Sequence, residues 1–235
     1  MLRFNTELAR ANCSQLQNAV KLVQKIQTGG NHITAMLSVS DLLQLGGYTA
    51  VEYCGGPSMI FRMGRKDVQT EGEASTALTV VTASHENAVQ AHRFNQMGLS
   101  VEEYVALMGG YTLGFASDDN KTKKARWTMN PYVFDNSYFQ EVLLGANSKY
   151  LKTEADLALL ASPEHKQWVE SFAEDNNLFF ETYARAHVKV SEAGQEANLM
   201  SEFDEGDIVN GGYQENKGSH WAQHFREEAG LEVQN

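Results

Sequence analysis

Apolar residues recur along this chain at the three-to-four spacing of helices, with no sustained alternation of the kind that marks strands. Leu16, Val20, Val23 and Gln27 share one face, widened by Ala19 and Ile26, and Thr28-Gly29-Gly30-Asn31 stops that helix. Ser40 and Asp41 are expected to cap a second helix that turns Leu42, Leu45, Thr49 and Tyr53 toward a core, with Cys54-Gly55-Gly56-Pro57 ending it. Met59 to Gln69 lacks a helical period and reads as an irregular connection. A further helix is expected from about Ser84 through Ala88, Val89 and Ala91 to Met97. Ser100-Val101-Glu102-Glu103 has the form of a capping box ahead of Tyr104, Val105 and Met108.

The second half continues in the same manner. Ser117 to Arg126 is polar and basic, hence a surface loop, and Phe134 to Leu144 is helical at least in its second half. Thr153-Glu154-Ala155-Asp156 begins a short helix, and Ser162-Pro163 places a cap and a first-turn proline ahead of Trp168, Val169 and Phe172. Asn176 to Val190 is a strong helix bringing Phe179, Phe180, Tyr183 and His187 within reach of one another. The pattern predicts an all-α architecture with long connections: a helical domain over 1–190, then an acidic C-terminal extension over 191–235.

Charge sharpens that division. The chain of 235 residues carries a formal −11, and ten acidic residues against Lys217 and Arg226 put −8 of it after Val190. Such a balance argues against nucleic acid as a partner, since phosphate binding relies on basic patches. No apolar run reaches the roughly 18 residues of a membrane span. Cys13 and Cys54 form no disulfide framework, which favours a reducing compartment or a packing role. Leu2 to Lys25 holds Arg3, Arg10, Lys21 and Lys25 against Glu7; this has the flavour of a mitochondrial transit segment but reads better as an ordinary basic amphipathic helix. In the extension, His220 and His224 lie four apart with Glu227 and Glu228 beyond, a weak zinc pattern that surface solvation explains better.

Ala106-Leu107-Met108-Gly109-Gly110-Tyr111-Thr112-Leu113-Gly114 resembles the proximal-haem segment of the class I, ascorbate peroxidase-like haem peroxidases, Ala-Leu-Ser-Gly-Gly-His-Thr-Ile-Gly. Gly64-Arg65-Lys66-Asp67 is similar to the family's Gly-Arg-Glu-Asp, and Trp127 to Phe139 to its Trp-Thr-Ser-Asn-Pro-Leu-Ile-Phe-Asp-Asn-Ser-Tyr-Phe. Asp156 to Leu160 and Phe179 to His187 match two more segments, so the resemblance spans Arg3 to about Val190. It implies a haem-peroxidase-like helical fold, here N-terminally truncated.

The resemblance also implies a lost activity. The family's iron-binding His is Tyr111 here, while Trp127, which would pack beside that ligand, and Asp156, which would accept a hydrogen bond from it, are kept. The family's distal Arg-Leu-Ala-Trp-His motif lies upstream of the stretch beginning at Arg3, and no copy occurs elsewhere; His32, His85 and His92 stand in other contexts. The Asn that orients the distal His aligns with Cys13, and the ascorbate-contacting Arg with Asn120. A phenol binds haem iron only as phenolate, and a nearby carboxylate disfavours that form. The expectation is therefore that Tyr111 donates its proton to Asp156 and that no haem is bound. The family's monovalent-cation cage maps to Thr112, Thr128, Asn130, Asp135 and the carbonyl of Val133, so K+ binding and mere local capping both stand.

The expected function is that of a catalytically inactive, accessory subunit of a larger organellar assembly, with the mitochondrion favoured over the plastid and a respiratory-chain complex as the analogy. Its partners would be other protein subunits, including a peroxidase-like paralogue in a dimer. An apolar face once covered by distal helices would form the interface, with the acidic extension ordering on a partner. The alternatives are a haem protein that uses Tyr111 as ligand with distal groups from another chain, and a small-ligand binder using the vacant cavity.

Overall fold

The computed structural model describes residues 16–29, 34, 37–70, 97–116 and 125–200. Seven α-helices lie among them: α1 (Gln17–Gly29), α2 (Val39–Tyr53), α3 (Val101–Met108), α4 (Ser137–Leu144), α5 (Glu154–Ala158), α6 (Pro163–Glu174) and α7 (Asn176–Glu192). Short 3-10 turns follow α3 (Gly109–Thr112) and α4 (Gly145–Asn147). The described residues form no strand beyond a single bridge between Ala116 and Ala125, in keeping with the all-α expectation. The helix expected near Ser84 and the basic loop after Ser117 fall largely outside the described residues.

Local chemistry explains most helix starts. Ser100 accepts the Glu103 amide while Glu103 accepts the Ser100 amide, so the capping box forms in full. Pro163 opens α6, although the Ser162 side chain makes no capping bond. Asp175 caps α7 by accepting from the amides of Asn177 and Leu178.

The start of α2 departs from expectation. Ser38, rather than Ser40 or Asp41, is its cap and accepts the Asp41 amide. Ser40 instead donates to Asp67, and that carboxylate also takes the amides of Val39 and Ser40 at the helix end. The Asp41 side chain is turned inward, where its carboxylate accepts from Gly64 N at 2.9 Å and from the Arg65 guanidinium at 2.9 Å. At the other end of α2, Tyr53 is 59% exposed, and Leu42, Tyr48 and Val51 form the buried face.

The main core lies between α3, α4, α6 and α7. Phe134 stacks on Phe179 with ring centroids 5.4 Å apart, and Phe139 meets Phe179 edge-on at 5.0 Å. Gly109 permits this closeness: a Cβ there would come within 2.5 Å of the Phe179 ring and 2.7 Å of Phe139. Val23, Val39 and Leu42 form a smaller cluster between α1 and α2.

The irregular connection expected from Met59 to Gln69 is present and runs against the end of α7. Arg65, 4% exposed, donates through Nε to the Ser191 carbonyl at 2.9 Å, and Arg62 pairs with Glu192. The Gly64 φ of +122° belongs to a conformation few side-chain-bearing residues adopt, and a Cβ there would strike the Asn198 carbonyl. Met200 N then donates to Met63 O at 2.9 Å. Residues 191–200 thus pack back on the helical domain.

Candidate functional site

Asp156, fully buried in the first turn of α5, is the centre of the site. A capping box places it: the Asp156 amide donates to Thr153 Oγ1 at 3.3 Å, and Asp156 Oδ2 accepts from the Thr153 amide at 2.7 Å and its hydroxyl at 2.8 Å. Trp127, on the segment tied down by the Leu151 amide to the Arg126 carbonyl, donates Nε1–H to Oδ2 at 3.1 Å. Tyr138, on α4, donates its hydroxyl to Oδ1 at 2.6 Å.

Three of these four donors converge on Oδ2 and Tyr138 alone takes Oδ1. The expected bond from Tyr111 to Asp156 is absent among the described residues; Tyr138 occupies the place proposed for it. Tyr111 sits instead on the 3-10 turn after α3 and lies over Trp127, with centroids 4.7 Å apart and planes 30° from parallel. It is half-buried, 6.2 Å from the Tyr138 ring. Burial first, and the Asp156 charge second, push its phenol above the ordinary range. The same influences, with Tyr111 added, push Tyr104 up to about 12. Lys152 donates to the carbonyls of Leu151 and Trp127. An iron ligand at position 111 would have to be phenolate, and these surroundings do not fit one.

The residues of the expected cation cage do come together. Thr112 Oγ1 lies 3.2 Å from Asp135 Oδ1 and 3.4 Å from the Val133 carbonyl, while Thr128 Oγ1 lies 3.1 Å from the Thr112 carbonyl and 3.3 Å from that of Asn130. Thr112 and Thr128 are each 1% exposed. Asn130 Oδ1 accepts the Tyr132 amide, and Asp135 Oδ1 the Ser137 amide at the start of α4. The set is all oxygen with one carboxylate, the donor chemistry of a hard monovalent ion. The same contacts also cap local turns.

Among the described residues, no group of three His, Cys, Asp or Glu could hold a metal. The His220/His224 pair and the positions Cys13, His32, His85, His92 and Asn120 lie outside the described residues. Cys54 is a free, half-buried thiol raised by burial. No described helix is long and apolar enough to cross a membrane.

Sequence reasoning passed over Tyr138 and Thr153 as partners of Asp156. Thr153-x-x-Asp156 carries a signal, because an Asp at the third helical position behind a Thr cap is a variant of the capping box. His165, on α6, was also missed: both ring nitrogens are buried without a partner, edge-on to Tyr104 at 5.6 Å between centroids.

Comparison with known proteins bears on the family. The peroxidase family profile, described as Peroxidase, matches residues 1–175. The chain is 37% identical over 193 residues to "L-ascorbate peroxidase 5, peroxisomal" of Arabidopsis thaliana, covering 82% of this chain and 66% of the relative. It is 38% identical over 194 residues to "L-ascorbate peroxidase 2, cytosolic" of the same plant, covering 82% and 74%. A third, "L-ascorbate peroxidase 3", also from Arabidopsis thaliana, is 41% identical over 202 residues, covering 84% and 66%. The chain thus spans about two thirds to three quarters of these relatives' length. On the helical fold, the site around Asp156 and these matches, the chain belongs to the peroxidase family as an ascorbate peroxidase-like protein.

Proposed function

We propose that this ascorbate peroxidase-like chain carries no haem and acts without peroxidase activity, as an accessory subunit of a larger protein assembly. The observation behind this reading is the state of Tyr111. Burial and the Asp156 charge both disfavour loss of its proton. A protonated phenol is a poor iron ligand. Trp127 and Asp156 are retained as structural groups, joined through Tyr138 and Thr153 into one buried hydrogen-bonded unit.

The cage of Thr112, Thr128, Asn130, Asp135 and the Val133 carbonyl would hold K+, fixing the Thr112 turn against the start of α4. The partners proposed are protein subunits, including a peroxidase-like paralogue, with the acidic sequence beyond Met200 as a contact of opposite charge to its partner. An organellar setting, mitochondrial and by analogy a respiratory-chain complex, rests on Arg3, Arg10, Lys21 and Lys25 alone. Two of the named relatives are described as peroxisomal and cytosolic.

Absorbance of the chain produced with excess haem tests the central point. The expected spectrum has no Soret band; a band at one haem per chain, lost in Tyr111→Phe, would establish a tyrosinate-ligated haem protein instead. For the assembly, a chain ending at Met200 is the right comparison, because residues 191–200 belong to the packed domain. That variant is expected to leave the native complex on a sizing column, and continued co-elution would refute the role given to the acidic sequence.

A further inference from the structure

We propose that the turn carrying Met129 and Tyr132 is a membrane-contact surface, seated in the headgroup region of an anionic lipid bilayer. It stands whether or not the chain binds haem.

The turn is apolar where water reaches it. Met129 is 74% exposed and Tyr132 69%, the two most exposed large apolar side chains among the described residues. Val133, beside them, is also exposed, and the Phe115 ring meets Tyr132 edge-on with centroids 5.8 Å apart. The backbone beneath is held. The Gly114 amide donates to the Pro131 carbonyl at 2.8 Å, the Tyr132 amide to Asn130 Oδ1 at 3.2 Å, and the Phe134 amide to the Cys54 carbonyl at 2.8 Å. A turn fixed in advance presents its side chains at little ordering cost.

Charge names the kind of partner. Residues 113–116, 125–133 and 148–152 are joined by the Ala116–Ala125 bridge and by the Leu151 amide on the Arg126 carbonyl. They hold Arg126, Lys149 and Lys152 and no acidic residue, in a chain of formal charge −11. Arg126 and Lys149 are exposed, and the Arg126 guanidinium lies over the Tyr150 ring, 5.3 Å from its centroid. Asp135, the next carboxylate after Val133, accepts from Thr112 and from the Ser137 amide. A local positive surface on an acidic chain selects a negative partner. The apolar side chains decide which one. A protruding turn is shaped to enter a soft interface rather than to enclose a peptide. Tyrosine there leaves its hydroxyl among the headgroups while its ring goes deeper, and arginine and lysine pair with lipid phosphates.

Co-sedimentation of the full chain with vesicles tests this. The chain is expected to pellet with phosphatidylcholine vesicles that contain phosphatidylserine, and far less with phosphatidylcholine alone. Arg126→Gln/Lys149→Gln should weaken partitioning by about 30-fold, and Met129→Ser/Tyr132→Ser by on the order of tenfold or more. Both pairs are exposed, so the fold should persist, which an unchanged melting temperature checks. Equal pelleting with and without phosphatidylserine overturns the proposal, as does undiminished binding of Met129→Ser/Tyr132→Ser. Binding to poly-L-glutamate that is lost in Arg126→Gln/Lys149→Gln, with no binding to vesicles, refutes it in favour of an acidic protein partner.

Discussion

Tyr138 and Asp156, eighteen positions apart, share a 2.6 Å hydrogen bond to Oδ1 of a carboxylate whose Oδ2 holds Trp127 and Thr153. The phenol at position 111 stacks on Trp127 outside that network. The network ties α4, α5 and the segment carrying Trp127 to one buried atom group.

Replacing that carboxylate should therefore be felt widely. Asp156→Asn keeps the shape but offers one acceptor oxygen to donors that now use two, and is expected to destabilise the fold by about 2–4 kcal/mol. Urea unfolding followed by far-UV circular dichroism reads the change; a midpoint equal to that of the parent chain would contradict the network.

The oxygen cage makes a separate prediction. K+ should raise the melting temperature, with stabilisation approaching about 2.7 kcal/mol at a free concentration 100-fold above its Kd. Asp135→Ala and Thr112→Val, which remove the carboxylate and a hydroxyl 3.2 Å from it, should abolish the dependence. Equal melting curves in KCl and tetramethylammonium chloride for the parent chain would show that these groups only cap the turns.

Crowding at Gly109 gives a third test. A methyl group there would meet rings at 2.5 and 2.7 Å, so Gly109→Ala is expected to cost about 1–3 kcal/mol by overpacking. Gly55→Ala acts as a contrast: nothing lies within 4 Å of its Cβ, and its cost should come only from the φ of +89°. Near-UV dichroism should change only in the first, since Phe139 and Phe179 must move there.

The histidines set an acid limit. Burial holds His187 below its ordinary value, and burial, opposed weakly by Glu164, does the same for His165. The unfolded chain binds these protons first, so stability should hold above the unfolded value of about 6.5 and fall as pH drops below it, toward the lower folded values. Glu103 titrates in a lower window. Burial opposes its charge, but Lys189 and the Ser100 amide outweigh that and lower it, so its contribution persists until acid reaches the carboxylate range. In His165→Phe the slope of melting temperature between pH 6.5 and pH 5 should flatten; an unchanged slope would assign the loss elsewhere.

Much of the helical order was legible because its signals are local. The capping box at Ser100, the proline opening α6 and the aperiodic run after Met59 are each set by residues within one turn of one another. The misreadings share a different cause. Asp41 looks like a helix cap until Arg65, 24 residues on, claims its carboxylate. Tyr111 looks like the donor to Asp156 until Tyr138 takes Oδ1 and Thr153 takes Oδ2. Competition for a buried acceptor depends on which groups the fold brings nearest, and spacing along the chain does not carry that information.

The Arg65 guanidinium links α2 to the end of α7, and this has a bearing on synthesis. Asp41 leaves the ribosome before Arg65 and can receive it at once, but the Ser191 carbonyl that completes its bonding emerges 126 residues later. A nascent chain halted before α7 would hold a buried cation short of one acceptor and a core lacking Phe179. Folding of this domain should thus finish only once α7 has emerged.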